Sequence, residues 1–276
     1  MARQKRIALI NDITGFGRCS VTVQLPLISA MRVQACPLPT AILSVHTGFP
    51  NHYLDDYTGR MRPYMENWAA NGIDFDALLT GFLGSERQIE VVLECIARFK
   101  QRDTKVIVDP VMGDNGSLYS SYTPALCAKM RQLLPQADVV TPNLTEACQL
   151  LGADYPTGGL VTEDELARMA AAIAAMGPRT VIITGLHADE NVRTYLYADG
   201  CGRSFDNPKV GRDRSGAGDA FSAIIAAALV RGIPLAEAVP RAADFIGHCL
   251  TYAEELGLPW NHGLPFEEFM GELTEL

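Results

Sequence analysis

The chain of 276 residues could form one large domain or two small ones, and its 48% hydrophobic and 20% charged residues exclude a disordered or fibrous protein. A net charge of −9 disfavours nucleic acid and anionic membranes as partners, because the field of the protein repels polyanions. Its seven cysteines are odd in number and include no C-x-x-C pair, which indicates neither a disulfide framework nor a zinc site. We therefore expect a cytoplasmic globular protein.

Short β-branched runs alternate with helical segments from the start of the chain. The first half predicts, in order, strand 6–11, helix 21–31, extended segments 34–38 and 41–45, helix 53–71, strand 77–80, helix 85–101 and strand 105–109. The apolar run that precedes Asn11 is too short for an export signal or a membrane span, so we expect neither.

The second half continues the same alternation. It predicts helix 124–134, strand 139–141, helices 144–151 and 162–176, strands 180–184 and 192–197, and helices 216–231 and 235–252. This pattern is typical of crossover helices on a parallel sheet. We predict one α/β domain over residues 1–276, with a doubly wound, mostly parallel sheet flanked by helices. Its ligands should bind at the carboxyl ends of the strands.

The segment 213–219 is a charged turn of small residues that leads into an apolar helix. Without Cβ atoms at Gly216 and Gly218, the amides around Ala217 can approach a phosphate, and the helix dipole adds positive charge. Asp219 could then take a proton from a substrate hydroxyl in line with that phosphate. The alternative is an acidic residue that only satisfies the helix dipole.

Polar residues also follow the strand 105–109 and the strand after it. Asp109 and Asp114 lie at the end of the first strand, and Thr141 and Glu146 follow the second. Hard oxygen ligands suit Mg²⁺, which normally takes one or two carboxylates together with nucleotide phosphates. A turn in which these residues only supply the bend is the alternative. We predict metal or phosphate chemistry, because two neighbouring strands end in polar groups.

The loop 11–20 comes close to the dinucleotide fingerprint G-x-G-x-x-G. Gly15 and Gly17 match it, but Ser20 stands at the third glycine and no acidic residue ends the next extended segment. An NAD-dependent oxidoreductase is therefore the alternative of another class. The sequence contains no Walker-type, zinc-protease or α/β-hydrolase motif.

The loop 44–52 follows another predicted strand. His46 and Thr47 lie there beside an aromatic residue, and polar groups at a strand end suit a small aromatic ligand. A structural role for His46 is equally compatible with the sequence.

Together these segments resemble the ribokinase-like superfamily, and within it the vitamin kinases that act on pyridoxal, pyridoxamine and hydroxymethylpyrimidine. The resemblance covers nearly the whole chain. It is carried by Gly-Ala-Gly-Asp at 216–219, Asp-Pro-Val-Met-Gly-Asp at 109–114, and Thr-Pro-Asn at 141–143 with Glu146. It implies a ribokinase-like fold and transfer of phosphate from ATP to a hydroxymethyl group.

The resemblance also implies the roles of individual residues. The anion hole and the catalytic base would be Gly216, Ala217, Gly218 and Asp219. Mg²⁺ and a monovalent cation such as K⁺ would be held by Asp109, Asp114, Thr141 and Glu146. ATP would lie along Asn143, Thr184, Pro208, Lys209 and Val210. The substrate ring would contact Asp12, His46, Thr47 and Phe82.

The choice of substrate follows from departures within the superfamily. The GG-x-x-x-N segment of the sugar kinases does not occur near the N-terminus, which favours a ring substrate. Hydroxymethylpyrimidine kinases typically have Cys where this chain has Asp219, so the resemblance favours the pyridoxal type. Phe82, where pyridoxal kinases often have Tyr, could stack on the pyridine ring. Asp12, where they usually have Ser, could bind a protonated ring nitrogen or the amine of pyridoxamine.

Two further alternatives remain within the family. One is a hydroxymethylpyrimidine kinase of thiamine synthesis, and the other is a relative that binds ATP or vitamin without turnover, against which the intact Asp219 argues. The only partner that we expect besides small molecules is a second copy, because members of this family commonly form homodimers.

Overall fold

The computed structural model describes residues 3–276. It contains a nine-stranded sheet with helices on both faces and, beside it, a two-stranded hairpin of β6 and β7. The strands are β1 (Arg6–Thr14), β2 (Gln34–Leu43), β3 (Leu54–Asp56), β4 (Ala77–Thr80), β5 (Lys105–Val108), β6 (Gly113–Asp114), β7 (Ser117–Leu118), β8 (Val139–Val140), β9 (Thr180–Ala188), β10 (Asn191–Ala198) and β11 (Cys201–Pro208). The helices are α1 (Val21–Ala30), α2 (Thr58–Ala70), α3 (Glu86–Phe99), α4 (Pro124–Met130), α5 (Leu144–Leu151), α6 (Glu163–Ala174), α7 (Ala217–Arg231), α8 (Leu235–Glu255) and α9 (Met270–Leu273).

The strands of the sheet lie in the order β11-β10-β9-β8-β5-β4-β1-β2-β3. The six strands from β9 to β2 are parallel to one another. The edge strands β3 and β11, and β10 next to β11, each run antiparallel to the strand that precedes them in the chain. This architecture confirms the predicted fold class, a single-domain α/β fold with a doubly wound, mostly parallel sheet flanked by helices.

Alternate residues of the central strands enter two separate cores. On β1, Ala8 and Ile10 pack in the core that contains α2 to α6, whereas Ile7 and Leu9 pack in the core that contains α1, α7 and α8. All four side chains are fully buried. Burial on both faces explains why β1 is a continuous apolar run, as is usual for parallel sheets covered by helices. Within residues 3–276, no helix is long and apolar enough to cross a bilayer.

The predicted helix 53–71 is wrong at its start, where the structure has β3 followed by α2. Residues 54–56 pair with the end of β2, and the Asp56 side chain accepts the amide of Thr58 at 2.9 Å, which begins the helix. The predicted segments 34–38 and 41–45 lie in one strand, β2, which ends two residues earlier than predicted, at Leu43. Pro37 and Pro39 are tolerated inside it because β3 pairs with β2 only at residues 41–43.

Candidate active site

The carboxyl ends of the parallel strands bring several of the predicted site residues together. Asp12 lies near the end of β1, Asp109 follows β5, and Thr141 follows β8. Burial raises the pKa of Asp109 and of Asp219, which lies in the first turn of α7. The charge of Asp219 adds to the increase at Asp109, and the charge of Asp12 adds to the increase at Asp219. The chain adds β2 and β3 on one side of β1 and then adds β4 and the later strands on its other side. Ligands of open α/β sheets bind at such a point.

Both carboxylate oxygens of Asp219 accept a hydrogen bond. The Asn11 side-chain Nδ2 donates to Oδ1 at 3.0 Å, and the backbone amide of Ser20 donates to Oδ2 at 2.7 Å. Burial raises the pKa of Asp219 to about 6, the charge of Asp12 adds to this increase, and the two donors oppose it. The carboxylate is therefore ionised at neutral pH, while its proton affinity stays in the range that suits a general base.

The turn before α7 is open where a phosphate would bind. Gly216 has a φ of 88°, and a Cβ built on it would lie 2.0 Å from the carbonyl oxygen of Arg18. A Cβ on Gly218 would have no atom within 4 Å. Among the described residues, no backbone carbonyl accepts from the amides of Gly218 and Asp219. The start of α7 therefore offers free donors next to unfilled space, as an anion site requires.

Arg214, which the sequence analysis does not identify, anchors this turn. Its side chain is buried, and its guanidinium donates to the carbonyls of Leu258 and Pro259 and to Glu254, each at 2.9 Å. Its own carbonyl accepts from the amide of Ala217 over a long 3.4 Å. The phosphate turn is thus attached to the segment that follows α8. An arginine two residues before a Gly-x-Gly turn was the signal that the sequence offered.

Glu146 and Asn143 form the cap of α5 as well as part of the candidate site. The Asn143 side chain accepts the amide of Glu146 at 2.9 Å, and Glu146 accepts the amides of Asn143 at 2.8 Å and Met112 at 3.1 Å. Asn143 also donates to the carbonyl of Gly113 at 2.8 Å. These bonds attach the loop after β5 to the start of α5, so both residues have a structural function whatever they bind.

Asp109 and Glu146 are buried carboxylates that form no ion pair with a lysine or arginine of the described residues. They are 6% and 4% exposed, and burial raises the pKa of each well above its ordinary value, with a further increase from neighbouring carboxylates. The buried Thr141 hydroxyl has no hydrogen-bond partner within the described chain. Two buried carboxylates beside an unpartnered hydroxyl are hard oxygen ligands that fit a Mg²⁺ or a monovalent cation, which would supply the missing positive charge.

These residues do not form a complete metal cage. Across residues 3–276, no three or more His, Cys, Asp or Glu side chains are arranged to hold a metal. Mg²⁺ commonly takes one or two carboxylates and completes its shell with phosphates and water, so a site shared with a nucleotide remains compatible with the geometry. Asp114 lies on β6, accepts the amide of Asn115 at 2.8 Å, and has a pKa raised by burial.

The residues predicted to line ATP lie in two places along the sheet edge. Thr184, on β9, forms a bridge with Asn143, and its amide donates to Pro142 at 2.9 Å. The segment 208–210 lies at the end of β11, two strands from β9, where the amide of Lys209 donates to Glu190. Pro208 and Lys209 are exposed and Val210 is partly exposed. The structure therefore brings Asn143 and Thr184 together, and the segment 208–210 lies apart from them.

The predicted substrate residues surround the end of β1. Asp12 is 4% exposed and accepts the Thr14 hydroxyl at 2.6 Å. Burial raises its pKa, which the hydrogen bonds from Ser20 and Thr14 oppose. Phe82 packs edge-on against Tyr122, whose buried phenol has a pKa raised first by burial and also by the charge of Asp12. Asp12 thus lies within electrostatic reach of Asp219 and of the Tyr122 ring beside Phe82.

A cluster of aromatic rings lies beside these residues and is not predicted by the sequence. Its members come from three separate segments and are Phe16, His46, Phe49, Trp260 and His262. The ring nitrogen of His46 is 2.9 Å from the carbonyl of Asn261, which joins the cluster to the C-terminal segment. Thr47 is exposed in the same loop as His46. Ring contacts across three loops leave no periodic signal in a sequence.

The loop 15–20 does not offer the geometry that the oxidoreductase alternative requires. In a dinucleotide site, the amides at the start of the first helix face a pyrophosphate. Here the amide of Ser20, directly before α1, donates to the carboxylate of Asp219 instead. The negative charge of Asp219 would repel a pyrophosphate at that position. The loop therefore holds the Asp219 carboxylate and not a dinucleotide.

Comparisons with known proteins agree with the geometry. A family model described as phosphomethylpyrimidine kinase matches residues 27–263. A hydroxymethylpyrimidine/phosphomethylpyrimidine kinase from Rhizobium meliloti is 29% identical over 254 residues, which cover 90% of this chain and 91% of the relative. A pyridoxine kinase from Bacillus subtilis is 36% identical over 183 residues, 64% of each chain. The match spans 37% and 40% of two bifunctional thiamine biosynthesis enzymes, from Arabidopsis thaliana and Geobacter sulfurreducens.

Solved structures share the whole fold. A protein from Bacteroides thetaiotaomicron designated a phosphomethylpyrimidine kinase has a TM-score of 0.95 at 35% identity, covering 99% of this chain and 94% of that one. Its orthorhombic form, with pyridoxal, has a TM-score of 0.93. A pyridoxal kinase from Lactobacillus plantarum has a TM-score of 0.90 at 26% identity, covering 99% and 98%. The chain therefore belongs to the phosphomethylpyrimidine kinase family of the ribokinase-like superfamily and is a vitamin kinase.

Proposed function

We propose that residues 1–276 form a kinase that transfers the γ-phosphoryl group of ATP to the 5′-hydroxymethyl group of pyridoxal, pyridoxamine or pyridoxine. The observation that carries this proposal is Asp219, a carboxylate held by two donors beside the open amides of α7. Hydroxymethylpyrimidine kinases typically have Cys at this position, so the carboxylate favours a vitamin B6 substrate. The solved relative that contains pyridoxal, at 35% identity, adds support.

The reaction follows from the positions of the base and the turn. The hydroxymethyl oxygen forms a bond to the γ-phosphorus, the bond from that phosphorus to the β,γ-bridging oxygen breaks, and Asp219 takes the hydroxyl proton. The amides of Gly216, Ala217 and Gly218 would hold the transferred oxygens, with the dipole of α7 behind them. The electron pair leaves with ADP, and Asp219 later releases its proton to water.

Cations would balance the acidic side of the site. Mg²⁺, held by Asp114 and Glu146 directly or through water, would neutralise charge on the phosphates of ATP. Asp109, Thr141 and Glu146 would hold a monovalent ion such as K⁺. The nucleotide would extend along Asn143, Thr184, Pro208, Lys209 and Val210. Location in the cytoplasm and assembly as a homodimer remain predictions.

The vitamin ring would lie between Phe82 and the loop of His46 and Thr47. Asp12 would give this pocket a preference for a ligand with a positively charged group. It is buried, and among the described residues no lysine or arginine forms an ion pair with it. An uncompensated buried carboxylate is costly, so a cationic group of the ligand would be favoured beside it. The amine of pyridoxamine and a protonated ring nitrogen are both such groups.

A hydroxymethylpyrimidine kinase is the second candidate. The family model and the Rhizobium meliloti relative, which matches nearly its whole length, favour this candidate. The two substrates share an aromatic nitrogen ring and a hydroxymethyl group, so the same base and turn would serve either.

The experiment is ADP release from Mg²⁺-ATP with pyridoxal, pyridoxamine, pyridoxine and hydroxymethylpyrimidine offered separately. We expect turnover with the B6 vitamers, increasing with pH through about 6 as Asp219 ionises. Asp219→Ala should reduce the rate by about 10² to 10⁴ and leave ATP binding largely intact. Turnover of the pyrimidine alone would make the second candidate correct, and full turnover by Asp219→Ala would refute the mechanism.

A further inference from the structure

Asn11 is a buried amide in which every polar atom has a partner. It is 1% exposed and lies near the end of β1. Its Oδ1 accepts the backbone amides of Asp12 at 2.9 Å and Phe82 at 2.8 Å. Its Nδ2 donates to Gln24 Oε1 at 3.1 Å and to Asp219 Oδ1 at 3.0 Å. Two accepted and two donated bonds use the full capacity of the side chain.

The main chain fixes which end of this amide faces Asp219. Because two backbone N–H groups point at one end of Asn11, that end must be the oxygen, and the NH₂ group must face the carboxylate. Gly81 packs directly against this side chain, since a Cβ on Gly81 would lie 2.3 Å from the Asn11 amide. Gly81 therefore allows the close contact, and Phe82 sets the polarity of the bond.

We propose that Asn11 is the positioning residue for the base, orienting the Asp219 carboxylate so that its remaining lone pairs face the substrate hydroxyl. The inference rests on the proposed function. With Ser20 donating to Oδ2, each oxygen of Asp219 has one fixed donor from a different element. A carboxylate held at both oxygens cannot rotate away from the hydroxyl, and positioned groups of this kind account for much of the efficiency of proton transfer.

Several titratable groups face Asp219 besides its two donors. They are Asp12 on β1, Cys19 before α1, Asp109 after β5 and Tyr119 after β7. Burial raises the pKa of Cys19 to about 12, and it raises the pKa of Tyr119 as well, so neither is charged near neutral pH. The surroundings are therefore acidic, and the neutral Asn11 supplies a donor without adding charge.

The test is Asn11→Asp, which keeps the size and shape of the side chain. One oxygen would still accept the two backbone amides, and the other would face Asp219 Oδ1, so that the two carboxylates would share a proton. We expect kcat with the preferred vitamer to fall about tenfold or more at pH 7, and the acidic limb of its pH profile to move up by about one unit or more. KM for ATP should change little, and activity should return at high pH.

Asn67→Asp, on the exposed surface of α2, is the matched control for added charge, and its acidic limb should stay in place. Thermal melting and Mg²⁺-ADP binding verify the fold of each variant. An Asn11→Asp enzyme that is folded, with an unchanged acidic limb, would overturn the inference. So would an activity that falls equally at every pH, because a merely structural role predicts that result.

A measurement on the wild-type protein keeps the inference testable if Asn11→Asp does not fold. The ¹⁵N and ¹H resonances of the Asn11 side-chain amide should titrate near pH 6 and stop titrating in Asp219→Asn. Resonances that do not change between pH 5 and 8 would overturn the inference. This readout needs no turnover, so it separates failure of the inference from failure of the proposed function, which would appear as no ADP release with any vitamer.

Discussion

Gly218 allows a prediction in which stability and activity change in opposite directions. A Cβ there meets no atom within 4 Å, so Gly218→Ala should fit the ligand-free protein. Alanine is favoured over glycine in a helix by up to about 1 kcal/mol, and the first turn should gain about half of that or more. For a chain of this size, 1 kcal/mol corresponds to roughly 2–4 °C in Tm. We therefore expect a small increase in Tm.

The same methyl group would occupy the space where the phosphate approaches the amides of α7. Loss of one preorganised donor in a comparable oxyanion site costs about 10²- to 10³-fold in kcat. We expect kcat/KM for ATP to fall about 10²-fold while Tm rises. A substitution that damaged the fold would lower both quantities, so the opposite signs identify a direct effect on the phosphate site.

Gly216→Ala is the matched comparison. Its Cβ would lie 2.0 Å from the Arg18 carbonyl, and its φ of 88° is unfavourable for alanine, so we expect a lower Tm together with lost activity. The assays are thermal unfolding without ligand and steady-state ADP release with varied ATP. A Gly218→Ala enzyme with wild-type kcat/KM would refute the placement of the transferred phosphate over these amides.

Two further predictions concern the buried acids. Asp12→Asn should lower kcat/KM for pyridoxamine about tenfold relative to pyridoxal, because the amine loses its charged partner; parallel assays measure the ratio, and an unchanged ratio would exclude this role. Asp109→Asn should raise the free energy of unfolding of the ligand-free protein by about 1 kcal/mol or more at pH 8, with a smaller gain at pH 5. The reason is that folding raises the pKa of Asp109. The folded protein therefore loses stability as pH rises above the pKa that this carboxyl group has in the unfolded chain. Urea unfolding at both pH values provides the measurement, and a variant less stable at pH 8 would contradict the argument.

The parts of the site that depend on one short segment could be predicted from the sequence. The Gly-x-Gly-Asp turn places open amides and a carboxylate at the start of α7 by local geometry alone, and the structure has that arrangement. Polar residues after β5 and β8 could be predicted to meet because parallel strands end at the same edge. The roles of these residues remain predictions.

The support of the base could not be predicted in the same way. Asn11 and Asp219 are 208 residues apart, and only the crossover connections of the sheet bring them together. The loop that contains Ser20 resembles a dinucleotide fingerprint because both require a tight turn between a strand and a helix. Its amide donates to a carboxylate here, and that difference depends on which helix packs beside the loop.

The site concentrates buried acidic groups whose negative charge, when they ionise, the ligand-free fold does not balance. Asp12, Asp109, Glu146 and Asp219 all have pKa values raised mainly by burial, so each costs stability when it ionises. A cationic vitamer and the metal ions bound with ATP would supply positive charge to the same edge of the sheet. Because each ligand would relieve repulsion that the other also experiences, the nucleotide and the vitamer should stabilise the fold more at alkaline than at acidic pH. Ionised buried acids thus destabilise the ligand-free protein, and binding of the charged forms of both substrates would recover that stability.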